Sequence, residues 1–184
     1  MNRTGRLIGF IGLFSLAAAC EHATTSAGST TGTTALSAAD QTVAKNLATF
    51  DDLDFNVFTN QKWDELARSH SKDIVVHWPD GHETRGIEKH IEDLKAMFVY
   101  APDTRIRVHP VKFGSRPWTS VIGTMEGTFT APMPMPPGKP IPPTGKPFTL
   151  SMNTIGRWND RGTMDEEWLF WDNATYMRQI GLAK

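Results

Sequence analysis

The sequence predicts an α+β domain in which one curved antiparallel sheet carries its helices on a single face. Three observations lead there. Apolar residues recur at helical spacing between about residues 37 and 100, the chain then switches to four long segments rich in β-formers, and a short helical segment closes it. No period of 20–50 residues repeats, and 184 residues leave room for one full core.

Val43, Leu47, Phe50 and Val57 set one apolar face on a helix over 37–58, with Ser37 as its N-cap and Asp40 in its first turn. Asp51, Asp52 and Asp54 fall in this segment. Successive helical positions point in different directions, so these three read as a solvated face and not as a metal site. A short helix over 62–69 turns Trp63, Leu66 and Ala67 inward, and Ile74 to Trp78 is a strand stopped by Pro79, Asp80 and Gly81. Ile87, Ile91, Leu94 and Phe98 mark a helix over 86–100, which Pro102 ends. Four strands come next, over 105–113, 118–130, 148–158 and 164–172, with turns at Gly114-Ser115 and 159–162. Asp172-Asn173 caps a closing helix over 174–180 that Gly181 terminates. Residues 131–147, APMPMPPGKPIPPTGKP, hold eight of the twelve prolines and form a stiff loop at the rim of the sheet, bordering a pocket mouth.

Composition excludes several classes. With 19 basic and 20 acidic residues the net charge is −1, which speaks against general nucleic-acid binding. One cysteine excludes an intrachain disulfide framework and every multi-cysteine zinc site. The chain opens with Arg3 and Arg6 before an uncharged, mostly apolar stretch, Leu7 to Ala19, whose helix of roughly 20 Å is too short for the ~30 Å hydrocarbon core. Residues 1–20 therefore read as a signal peptide. Its end, Leu16-Ala17-Ala18-Ala19-Cys20, resembles a bacterial lipoprotein signal, in which the cysteine is lipidated and becomes the new N-terminus. With Glu21 after it in place of aspartate, that resemblance implies the outer membrane, facing the periplasm. The alternative is ordinary cleavage beside an incidental Cys20, which gives a soluble periplasmic or secreted protein. Residues 21–36, small and hydroxylated, form a flexible tether, and 37–184 the folded domain.

Three stretches together resemble the SnoaL-like polyketide (ester) cyclases of the nuclear transport factor two-like superfamily: Asp73 to Pro79 with Gly86-Ile87-Glu88, then IPPTGKPF at 141–148, then Glu166 to Leu182. The resemblance covers essentially the whole folded domain. It implies a cone-shaped α+β barrel around an apolar cavity, a homodimer, and ring closure by intramolecular aldol condensation without cofactor or metal. In that chemistry a carboxylate removes a proton beside a carbonyl and returns it to the new alkoxide. The cyclases end the last strand with Glu-His-Trp-Asp, the final Asp acting as acid/base. This chain has Glu166-Glu167-Trp168-Leu169, so Leu169 stands where that Asp would be.

Other groups must then carry any proton. Residues two apart on a strand share a face, so Glu166, Trp168, Phe170 and Asp172 lie together, as do Glu167, Leu169 and Trp171. The first set offers two carboxylates beside two aromatic rings. Glu166 and Asp172 are the catalytic candidates, assisted by His77, whose position matches a polar pocket residue of the family. The competing readings are a cross-strand ion pair for Glu166, a helix cap for Asp172 and a structural histidine for His77. Trp168, Phe170, Trp118, His109 and Asn153 are candidate pocket residues. His77, Asp80 and His82 lack a further ligand for a metal. Two function classes emerge: a cofactor-independent enzyme acting on a small hydrophobic carbonyl compound, or a lipid-anchored protein that binds a small hydrophobic ligand without catalysis. Membrane contact is expected through the N-terminal lipid only. Hydrolase or isomerase chemistry is a third, lesser possibility, and an isomerase would need an oxyanion donor from Tyr100 or Tyr176.

Overall fold

The computed structural model describes residues 37–184, so the predicted signal peptide, the tether and Cys20 lie outside the described residues. Ser37 caps α1 (Ala38–Asp52), its Oγ accepting from the Asp40 amide at 3.1 Å. The helix continues into a wider π-helical turn, Leu53–Phe58, in which Thr59 N–H donates to Asp54 O at 3.3 Å. The wider turn rotates these residues relative to the apolar face of α1. Leu53, Asp54, Val57 and Phe58 are all buried as a result. The solvated-face expectation is corrected here for Asp54, which is 6% exposed.

A 3-10 turn, Trp63–Arg68, leads into β1 (His70–His77), β2 (Glu83–Arg85) and α2 (Ile87–Tyr100). The strand expected over 105–113 is split into β3 (Arg105–Ile106) and β4 (Val111–Ser115). Pro110, with no N–H to give a ladder, stands in the break. Then come β5 (Trp118–Thr128), β6 (Pro147–Trp158), β7 (Met164–Phe170) and α3 (Asn173–Gln179). The sheet runs β2-β1-β7-β6-β5-β3, with β4 also on β5. It is antiparallel except where β1 lies parallel to β7, pairing Val76 with Glu167.

The inner face of the sheet supplies Val121, Met125, Leu150, Met152, Trp158 and Leu169, which pack on Phe50, Val57 and Phe58 from the first helical segment and Leu94 and Phe98 from α2. The proline-rich segment folds back through a bridge between Met133 and Ile141, both packed on this core, and Thr144 Oγ1 donates to Ile180 O at 2.6 Å. No helix among the described residues is long and apolar enough to cross a membrane.

Phe50 is 1% exposed at the centre of the core, so Phe50→Ala is expected to cost about 3–5 kcal/mol. Asp172, which caps α3, is expected to cost about 1 kcal/mol on replacement by alanine. Urea unfolding followed by circular dichroism checks both; equal costs would contradict the assignment of core and cap.

Candidate active site

A cavity of about 40 Å³ lies between the inner face of the sheet and the helices. It holds about three waters, well short of the roughly 300 Å³ of a cleft shaped for a drug-sized ligand. Its walls are mostly apolar, with Leu53, Phe58, Leu94, Met125, Met152 and Leu169 among them. Five polar side chains open onto it: Asp54, His70, His90, Thr154 and Glu167.

Asp54 is the first of two buried carboxyls. The π-helical turn aims it inward, and its Oδ2 lies 2.8 Å from His109 Nε2. The other ring nitrogen, Nδ1, lies 2.8 Å from Asp51 Oδ1, and Lys112 pairs with Asp51 Oδ2. His109 reaches this position because the chain leaves the ladder between β3 and β4, and because residue 123 on β5 is glycine. A Cβ there would sit 3.4 Å from the imidazole and 3.2 Å from Ile106. Burial pushes the Asp54 carboxyl above the usual range, and the bond to His109 offsets this only in part. Burial would lower His109, but its bonds to Asp54 and Asp51 outweigh it and hold the imidazole above its ordinary value. Burial raises Asp51 too, yet Lys112 and His109 outweigh it and keep that carboxyl low. Asp54 and His109 are thus joined by one short bond whose environment favours a proton on that edge, and Asp51 fixes the ring from behind.

Glu167 is the second buried carboxyl, 4% exposed, on the inward side of β7. His70 from β1 and His90 from α2, each 2% exposed, bring their Nε2 atoms to 3.7 and 3.4 Å from Glu167 Oε2. At these separations Oε2 has no hydrogen-bond partner among the described residues, and neither has His70 Nε2. Burial pushes Glu167 up, but the adjoining imidazoles outweigh it and hold the carboxyl below its usual range. Burial pushes His90 down to about 4, so its ring is neutral near pH 7.

The sequence-predicted residues lie elsewhere, with one exception. Glu166 and His77 do meet, at 3.2 Å, but on the outer face of the sheet, where Arg157 Nε also donates to Glu166 at 2.8 Å. Burial raises Glu166, while Arg157 and His77 together outweigh it and keep it low, as befits an ion pair. Asp172 accepts from the Thr175 amide at 3.0 Å, and bonds from Thr175 hold it low and exposed as a helix cap. Trp168 stacks on His77 at 4.6 Å, and Trp118 lies 5.5 Å from Trp168. Phe170 and Trp118 are exposed, and Asn153 accepts from Ser120 at 3.0 Å. None of these four lines the interior cavity, where they were expected. Alternation groups the residues of β7 correctly by face, but Glu167, Leu169 and Trp171 make up the cavity side. Of the named pocket residues only His109 belongs to the interior, through Asp54. Tyr176 donates to Tyr100 at 3.1 Å, and neither lines the cavity.

Sequence reasoning missed Asp54, His70, His90 and Glu167. His90 carried a legible signal, since it falls among Ile87, Ile91, Leu94 and Phe98 on the apolar face of α2. Asp54 carried none, because α-helical spacing does not foresee a π-helical turn.

A curved sheet closed by helices over one interior cavity defines the nuclear transport factor two-like class of α+β proteins. The sequence profile of the SnoaL-like polyketide cyclases matches residues 54–180, and the chain belongs to that family. Solved structures agree on the fold. IdmH of Streptomyces antibioticus, described as a proposed polyketide cyclase, is 21% identical over 74% of this chain and 98% of its own, with a TM-score of 0.62. A proposed SnoaL-like polyketide cyclase of Jannaschia sp. CCS1 is 18% identical over 82% and 99%, with a TM-score of 0.67. A proposed polyketide cyclase of Xanthomonas campestris is 12% identical over 76% and 99%, with a TM-score of 0.64. No curated protein matches the chain.

The raised imidazole gives a signed expectation for stability. A histidine whose folded value lies above its unfolded value of about 6.5 stabilises fully below that pH and loses the contribution as pH rises through the folded value. Asp54, also raised, acts in the same sense, whereas the lowered Asp51 acts in the opposite sense and only in acid. His109→Asn is expected to cost roughly 3 kcal/mol near pH 6 and less at pH 9. Chemical denaturation across that range measures it, and a cost that does not change with pH would contradict a proton held on the edge between Asp54 and His109.

Proposed function

We propose that the domain performs acid/base chemistry of the aldol-cyclisation or isomerisation type on a small hydrophobic carbonyl compound, with Asp54 as the acid/base. The observation that carries this reading is a buried carboxyl that opens onto an apolar cavity while bonded to His109, itself held by Asp51; at about 40 Å³ that cavity must widen between sheet and helices to admit the compound. Asp54 takes the place in the mechanism that Leu169 cannot fill. It removes the proton beside the substrate carbonyl, the resulting enolate closes on a second carbonyl of the same molecule, and Asp54 returns the proton to the new alkoxide. No net proton is gained or lost. Partial desolvation makes the carboxylate a stronger base, and His109 lets its charge appear and vanish without bulk water.

A second reading, ligand binding without catalysis, draws support from Met97, Met125 and Met152 in the cavity wall, since methionine adapts to varied apolar shapes. For either reading we further propose export, with Cys20 as a lipid anchor, on the strength of the charged and apolar segments that precede it. Association of two copies through the outer sheet face is proposed from the exposed Phe113, Trp118 and Phe170 there.

Solvent-deuterium incorporation into a panel of β-keto esters and hydrophobic ketones, read by mass spectrometry, tests the reaction. Asp54→Asn is expected to slow exchange by about 10²–10⁴-fold, and His109→Asn to slow it as well. Glu166→Gln and Asp172→Asn are expected to leave it unchanged. Undiminished exchange in Asp54→Asn would remove Asp54 from the mechanism, and no exchange in wild type would favour the binding reading.

A further inference from the structure

Glu167 and its two histidines are not used by the proposed proton transfer, and their geometry is unusual for a purely structural trio. His70 Nδ1 lies 2.9 Å from Ser69 Oγ, and Ser69 Oγ donates to Leu66 O at 3.2 Å. Ser69 thus anchors the Nδ1 edge of the ring and leaves the Nε2 edge turned toward Glu167. His70 Nε2 faces Glu167 Oε2 across 3.7 Å, with no hydrogen bond between them. Buried polar atoms left unpartnered at this distance leave room for a shared cation.

We propose that His70, His90 and Glu167 bind one zinc ion, with the cavity supplying its open fourth position. One ligand atom from each of the three residues lies within 4.8 Å of the others, and this is the one such group among the described residues. A tetrahedral zinc ion with bonds of about 2.0–2.1 Å sets its ligand atoms about 3.3–3.4 Å apart. The His90 edge to Glu167 is 3.4 Å and the His70 edge is 3.7 Å, so two of the three edges are close to those of a bound ion. Two imidazoles and one carboxylate suit zinc. Ser69 orients the His70 ring from behind, and Asp93, on the same face of α2 as His90, has a buried Oδ2 without a partner, as has His90 Nδ1. Three protein ligands beside a cavity is the pattern of an ion left open to a water or a substrate oxygen. An ion held there would be placed to polarise a substrate carbonyl, a consequence that rests on the proposed reaction, whereas the binding of zinc does not.

The test uses the full mature chain, stripped with a chelator and titrated with zinc ion alone at pH 7.5, the bound metal being measured by plasma mass spectrometry after dialysis. One equivalent per chain is expected, and cobalt(II) in its place is expected to show the strong visible bands of a four-coordinate site. Glu167→Gln and His90→Gln are expected to weaken binding by more than about 100-fold, while the exposed His82→Gln leaves it unchanged. Circular dichroism confirms that each variant is folded. Should a variant fail to fold, zinc must still raise the Tm of wild type. Wild type that holds no more zinc than a histidine-free control protein, or affinity unaltered in folded Glu167→Gln, would overturn the proposal. The deuterium assay separates the two claims: zinc bound without exchange sinks the reaction and keeps the site, and exchange in stripped protein that binds no zinc does the reverse.

Discussion

Two carboxyl groups, Asp54 and Glu167, are held out of water beneath the curved sheet, and the interior is arranged around keeping them there. An ionised carboxylate in such a place costs several kcal/mol unless a cation or hydrogen-bond donor meets it. For Asp54 the protein supplies His109, backed by Asp51 and Lys112. For Glu167 it supplies two imidazoles that stop short of hydrogen-bonding distance. The first carboxyl is bonded directly to its histidine, whereas the second faces two imidazoles without a hydrogen bond.

Departures from regular structure bring these groups together. The π-helical turn after α1 rotates Asp54 inward. The break around Pro110 lets His109 leave the ladder, and Gly123 leaves space for its ring. On β7 the register shifts between Arg157 and Trp158 of its partner strand, so that Met164 and Glu167, three residues apart, both face the core. Irregular elements of this kind are enriched at functional sites because they re-aim single side chains without disturbing the layers around them.

Much of the fold was legible in the sequence for the same reason that the site was not. Ser37, the apolar repeat of α2, the strand segments and the Asp172 cap all obey local rules of spacing and capping, and most elements lie within a few residues of their expected bounds, except the split strand over 105–113 and the unforeseen β2. The family resemblance rested on that order of elements and holds. The site depends on which face of β7 turns inward and on a helical turn of unusual width, and alternation alone specifies neither. Glu166 and Glu167 are adjacent and chemically alike. Only the tertiary pairing of β7 with β1 and β6 decides that the first meets Arg157 in solvent and the second meets His90 in the core.

The proton on the edge between Asp54 and His109 is central to the proposed chemistry. Long-range nitrogen–proton NMR of the histidine rings between pH 5 and 9 reads it directly. His109 is expected to titrate above the ordinary histidine value in wild type and to return toward it in Asp54→Asn. Titration at the ordinary value in wild type, or no change in the variant, would contradict it.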